Sequence, residues 1–530
     1  MMRKLIKPGF SNRLIVRPVL AALALTFSSA IAWADNPALI ETARHQDAEA
    51  VRLLLTSGAD PDARQSDGAT ALHWAVYQED VDMLAALVQA GANVNSTNRL
   101  GASPLYLAAK NGNAELIKNL LRAGADPNLT LPNGETPLMT AARSGTVEGV
   151  QQMIAAGVDV NANEKSRAQT ALMWAAAQGH VEVARALITA GANLESRSKV
   201  RPRLMYAEDL NGYSFDQGTV EQLGGYSPLL FAAAQGHVDV GQLLIRSGVD
   251  VNGVAGNGAS PLVVATHSGH PDFARLLLSA GADPDAIGAG YNALHAAVLR
   301  GDLETVEALL KNGADPDARL KRATPVQRAS EIWALKGPLV SATPYWLAAS
   351  FREAKIMSAL EQGGANPLLT TEELFREKGR SRAERLNPPE PKAVGGFESA
   401  VQAAVRGDST RGRFYTQANP DPVGEERLAL EAVIVAAENS VNLDHFDFNE
   451  STALHYAAAR NLPTVVRELA ERGADINALN GKSQTPLDLA LEMENSTDFF
   501  NFDARPKPGP KTSEVLVEFG AVMSDIEGTP

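Results

Sequence analysis

The chain has no cysteine. Disulfides, thiolate metal sites, thiol nucleophiles and a lipid-anchored cysteine are therefore excluded, and packing with hydrogen bonding must hold the fold together. Catalytic signatures are missing too. There is no Gly-x-Ser-x-Gly elbow and no His-Glu-x-x-His helix, so no residue presents itself as a nucleophile or as a zinc-assisted base. Positive charge is in deficit, with 48 Lys and Arg against 62 Asp and Glu and a net charge of −14. That balance opposes binding to nucleic acid or to anionic lipid. Membrane-length apolar runs are scarce. The apolar segment from Val19 to Ala34 is 16 residues long and contains Ser28 and Ser29, short of the ~20 residues a spanning helix needs.

That segment has another reading. Arg3, Lys4, Lys7, Arg13 and Arg17 precede it, and it closes with Ala32-Trp33-Ala34, the basic, apolar and small-residue order of a secretory signal peptide. Residues 1–34 are expected to be removed before Asp35. The remaining chain then carries 43 basic and 62 acidic residues, a net −19. Export across the inner membrane to the periplasm is expected, with no membrane insertion after cleavage.

What the chain has in abundance is self-similarity. Gly-Ala-Asp or a close variant begins at Gly58, Gly91, Gly124, Gly157, Gly191, Gly248, Gly281, Gly313, Gly364 and Gly473, and the first four spacings are 33, 33, 33 and 34 residues. A second phrase recurs with it: Thr70-Ala71-Leu72-His73, Ser103-Pro104-Leu105, Thr136-Pro137-Leu138, Thr170-Ala171-Leu172, Ser227-Pro228-Leu229, Ser260-Pro261-Leu262, Thr452-Ala453-Leu454-His455 and Thr485-Pro486-Leu487. Thr or Ser caps a helix by accepting backbone N–H bonds, and Pro is tolerated at the first helical position. Each phrase therefore starts a short inner helix, which a glycine such as Gly145 ends in the left-handed conformation. A second helix follows, its apolar face supplied in one unit by Val181, Val183, Ala184, Leu187 and Ile188, and Gly191 ends it before a polar turn.

These phrases resemble the ankyrin repeat, over about 38 to 368 and again over about 398 to 522. The resemblance implies an all-α repeat solenoid of about 10 to 12 helix-turn-helix units with hairpin loops, its inner helices and hairpin tips lining a concave face. Within that family the chain resembles exported bacterial ankyrin-repeat proteins. The expected organisation is a signal peptide over 1–34, an array over 35–369, a linker over 370–396 and a second, partly degenerate block over 397–530. The unit from Pro37 to Arg64 reads as an N-terminal cap, and Ser513 to Val522 as the C-terminal one. Insertions are expected near 198–224, with Tyr206, Tyr213 and Phe215, and near 328–341, with Trp333. Their aromatic residues are expected to patch gaps in the stack. The linker contains Asn387-Pro388-Pro389-Glu390-Pro391.

Candidate chemistry is largely absorbed by the repeat. His73, His295 and His455 fill the slot after Leu, and His180, His237 and His270 follow the inner-helix glycine. His267 and His270 straddle a helix end without a third ligand in view. The stretch Asp444 to Glu450 lacks the spacing and central glycine of a calcium loop, and Gly481-Lys482-Ser483 lacks the glycine-rich cradle of a phosphate-binding loop. No cofactor, metal or catalytic residue is assigned.

Ankyrin arrays act mainly as protein-binding scaffolds, so the resemblance implies a non-catalytic interaction protein. Two alternatives are a small-ligand binder or enzyme walled by the insertion aromatics, and a structural spacer. The register places Tyr77, Gln78, Lys110, Asn111, Arg143, Ser144 and Gln178 at inner-helix ends, and Arg99, Asn133 and Arg167 near the tips. This row is more basic than the chain as a whole and contains residue types favoured in hot spots, so the expected partner is a protein with an acidic surface.

Overall fold

The computed structural model describes residues 36–209, 212–322, 339–372, 375–376, 393–395, 397–407, 422–438, 441–496 and 508–524. The signal peptide expected over 1–34, Trp333 and most of 370–396 lie outside the described residues, as do the side chains of Tyr206, Tyr213 and Phe215. Two compact units divide after Arg99. The first contains two helix pairs, Asn36–Arg44 with Ala48–Thr56 and Ala71–Tyr77 with Val81–Gln89. In the second, ten inner helices begin at Pro104, Pro137, Ala171, Pro228, Pro261, Ala293, Pro344, Ala400, Ala453 and Pro486, each followed by an outer helix. Within the second unit every inner helix packs on the inner helix of the next pair, and the outer helices do the same. The 24 helices among the described residues make 12 pairs, an all-α repeat fold.

Local chemistry sets the helix boundaries. Thr136 Oγ1 accepts from the Met139 N–H at 3.1 Å and Ser103 Oγ from that of Tyr106 at 3.2 Å, satisfying donors that no helical carbonyl reaches. At the other end Gly179 adopts φ +76°. Its missing Cβ matters twice, because a methyl group there would lie 2.7 Å from His237 Nδ1. The imidazole is packed against the glycine because its Nε2 donates to the Ala177 carbonyl at 3.2 Å, one of the carbonyls an isolated helix leaves unpaired. His180 and His270 do the same for Arg143 and Ala234.

Consecutive repeats are also joined by a ladder of side-chain-to-backbone bonds in the turns after the outer helices. Asn128 Oδ1 accepts from Asp159 N at 3.1 Å, Asn161 from Asn193 at 2.7 Å, and Glu195 Oε1 from Asp250 at 2.8 Å. Asn252, Asp285 and Asp317 carry it on to Asp283, Asp315 and Asn366. The first insertion leaves this ladder intact. Its strands Arg201–Asp209 and Gly212–Leu223 pair antiparallel as a hairpin, and the Ser198 N–H donates to the Tyr226 carbonyl at its base. Helices Ala171–Gln178 and Pro228–Gln235 pack directly on each other. The helix stack is therefore continuous across this insertion. A hairpin leaving from a tip adds residues without parting the helices.

The ladder ends where Leu368 takes the place of an Asp or Asn. Across the following segment the inner helices Pro344–Ser350 and Ala400–Arg406 still pack together, held by a buried arginine. Arg352 adopts φ +58° where most repeats have glycine. It donates from Nε to the Ala404 carbonyl at 3.1 Å and from Nη2 to that of Val405 at 2.8 Å, and pairs with Glu425 at 3.0 Å. The ladder resumes with Asp444 accepting from Asp475 and finishes with Asn477 accepting from Val522.

His295 and His455 serve as caps. Their Nδ1 atoms accept from the backbone N–H of Asn292 at 3.4 Å and of Thr452 at 3.2 Å. Burial pushes the His295 imidazole down to about 4, against the opposing pull of the Ala342 and Ala318 carbonyls and of Asp315, and it lowers His455 as well. Below its ordinary value of 6.5 the unfolded chain takes up the proton that folded His295 refuses. The stabilisation is thus complete above pH 6.5 and drains away toward pH 4, by about 1.4 kcal/mol per pH unit. His295→Gln retains the capping geometry that Gln402 already shows with the Ser399 N–H at 2.8 Å. Denaturant unfolding between pH 7.5 and 5 should show a shallower loss in this variant. An unchanged slope would place the acid sensitivity elsewhere.

Candidate functional site

The side chains that face outward from the inner helices fall at fixed distances from the capping residue. In the second unit, Arg143 stands seven residues after Thr136 and its guanidinium lies 5.1 Å from the ring centroid of Trp174, four residues after the next cap, Thr170. Its Nη2 also pairs with Glu135 at 3.1 Å, the residue just before Thr136. Arg406 repeats this geometry, lying 5.7 Å from the Tyr456 ring and pairing with Glu398. Each Glu–Arg–aromatic clasp ties one repeat to the next, and its cation–π contact contributes on the order of 0.5–2 kcal/mol. In the first unit Arg44 lies 5.8 Å over Trp74, without the preceding glutamate.

The row expected to bind a partner divides into two groups on the structure. In the first unit Tyr77 is 63% exposed and meets Trp74 edge-on at 5.8 Å. Arg99 is exposed, whereas Gln78 Nε2 donates to the Arg44 carbonyl at 2.7 Å. In the second unit Lys110, Asn111, Arg167 and Gln178 are exposed. Ser144 Oγ instead donates to the Ala109 carbonyl at 3.0 Å, and Asn133 Oδ1 accepts from the Glu135 N–H at 3.0 Å. Gln78, Asn133, Arg143 and Ser144 therefore help to build the repeats, while the remaining six point outward.

Models of the ankyrin repeat match residues 105–198, 206–288 and 229–320 in one form, 434–490 in a second, and 39–88 and 72–121 in a third. The chain is an ankyrin-repeat protein. It is similar to the zebrafish (Danio rerio) protein fem-1 homolog A, with 31% identity over 118 residues, a stretch amounting to 22% of this chain. The chain spans only 18% of that relative's length.

In this ankyrin-repeat protein the residue four after each cap is a further candidate that the repeat phrases do not name. Trp74, Trp174, Phe231 and Tyr456 occupy it and are half-buried on the inner-helix face. The ring of Phe231 meets Tyr226 edge-on at 5.5 Å. A signal was present, since the same slot holds Leu107, Thr140 and Val264 in other units while the flanking Leu and Ala recur. Variation inside a constant phrase marks a position that the repeat core does not dictate. The histidines of the repeat phrases and the acidic tip at Asp447, by contrast, are occupied with backbone groups: His455 Nε2 donates to the Gln484 carbonyl at 3.0 Å, and Asp447 Oδ1 accepts from the Asn449 and Ser451 N–H groups at 2.9 Å.

Proposed function

We propose that this ankyrin-repeat protein is exported to the periplasm and acts there as a non-catalytic scaffold that binds an acidic protein surface. Ankyrin repeats indicate a protein-interaction module, and the observation that carries the finer reading is the exposed basic row of the second unit. Lys110 and Arg167 stand exposed there in a chain of net charge −14, a local reversal of sign suited to steering an acidic partner. The basic, apolar and small-residue order of residues 1–34 supports export.

The test is capture of the native partner from periplasm by the wild type and by Lys110→Glu/Arg167→Glu. Arg143 is left alone, because a carboxylate there would face Glu135. The double variant should capture at least about tenfold less while its unfolding midpoint stays within error, since both side chains are exposed. Undiminished capture would refute the assignment. Loss of capture only on removing 201–223, which spares the Ser198–Tyr226 bond, would move the site to the hairpin.

A further inference from the structure

The aromatic slot has a polar end, and in two of three repeats the tip loop satisfies it. Trp74 Nε1 donates to Gln65 Oε1 at 3.1 Å, and the Tyr456 hydroxyl donates to Asp447. Gln65 and Asp447 occupy the same place in their loops, since the backbone N–H of each donates to the carbonyl of the residue just before the cap, Ala69 and Ser451. In the Trp174 repeat the equivalent residue is Glu164, whose N–H donates to the Gln169 carbonyl. Its carboxylate is an acceptor but is directed elsewhere. This loop is one residue longer, and Glu164 turns into it, accepting from the backbone of Ser166, Arg167 and Gln169 and from the Ser166 hydroxyl. Trp174 Nε1 is buried and has no acceptor among the described residues.

We propose that Trp174 and Arg143 form the anchor that receives a carboxylate side chain of the partner protein, a proposal that rests on the scaffold reading above. A buried donor with no protein acceptor costs free energy that a partner's oxygen can recover. Arg143 lies over this ring with its side chain 36% exposed. It shares Glu135 with the Thr140 hydroxyl, so its guanidinium can turn outward without leaving that carboxylate unpaired. Arg143 exchanges its Glu135 contact for the arriving carboxylate, which brings an oxygen to the indole N–H. The movement required is a side-chain rotamer change, which interfaces commonly make. The exposed Arg167, on the same tip loop as Glu164, selects for negative charge over a neutral carbonyl.

The experiment uses an array of synthetic acidic peptides, each paired with its Asn/Gln counterpart, probed with the full chain. Acidic members should bind, their amide counterparts should bind at least about tenfold more weakly, and Trp174→Phe and Arg143→Gln should each weaken the acidic set by about tenfold. Thermal unfolding adds a readout independent of binding. Trp174→Phe and Trp74→Phe remove the same volume, but only the second breaks a bond within the chain, so Trp174→Phe should lower its midpoint less. Absence of any acidic binder, equal binding of the amide peptides, indifference to Trp174→Phe, or equal destabilisation by the two Phe variants would each overturn the proposal. Peptides that bind through other residues would overturn it while leaving the scaffold reading in place, because that reading stands or falls on the Lys110 and Arg167 reversal.

Discussion

Leu138→Ala is expected to destabilise the 100–530 unit by about 2–5 kcal/mol, while Gln151→Ala changes it by less than about 0.5 kcal/mol. Leu138 is 1% exposed on helix Pro137–Ser144, which packs against Pro104–Asn111 on one side and Ala171–Gln178 on the other. Gln151 is exposed on the following outer helix. In a repeat array stability is close to a sum of unit and nearest-neighbour terms, so a cavity at one interface weakens the coupling of both flanks. Hydrogen exchange should show protection lost first in helices 104–111, 137–144 and 171–178, with the 453–494 region little affected. Equal destabilisation by the two substitutions would show the register to be wrong.

Gly179→Ala should be the more damaging of two glycine substitutions that look alike in sequence. Gly179 and Gly191 both have positive φ, +76° and +87°, so alanine at either costs about 1–2 kcal/mol for the left-handed conformation. At Gly191 the added methyl meets nothing within 4 Å, but at Gly179 it meets the His237 ring at 2.7 Å. To escape, the imidazole must leave the Ala177 carbonyl, adding about 1 kcal/mol for the lost hydrogen bond and more for any residual crowding. Urea unfolding should give about 2–4 kcal/mol for Gly179→Ala. In a His237→Ala background the same substitution should fall to the Gly191 value. An unchanged cost there would rule out the collision as its cause.

Most of the fold was legible because its signals are local. The capping Thr and Ser residues act on an N–H three residues away, Pro137 and Pro228 restrict their own φ, and Gly145 and Gly179 end a helix by their own conformation. The candidate site was only half legible. Exposure of Lys110 at a helix end and of Arg167 near a loop tip followed from counting from the capping residues, but the engagement of Ser144 with Ala109, 35 residues earlier, did not.

The sequence by itself thus determined the repeat, its register, the places where the capped inner helices begin, and the absence of any disulfide. Tertiary structure decided what the repeated residues do to their neighbours: that His180, His237 and His270 close the inner helix of the preceding repeat, that acidic and Asn side chains bridge consecutive turns, that residues 201–223 leave as a hairpin, and that Trp174 lacks the acceptor Trp74 has. The physical reason is separation along the chain. Helix starts and stops are settled within about four residues, whereas the His237 bond to Ala177 spans 60 positions and the Glu195 bond to Asp250 spans 55. Such contacts depend on how many residues loop out between repeats and on which way one side chain turns, and a single extra residue after Glu164 was enough to change the answer.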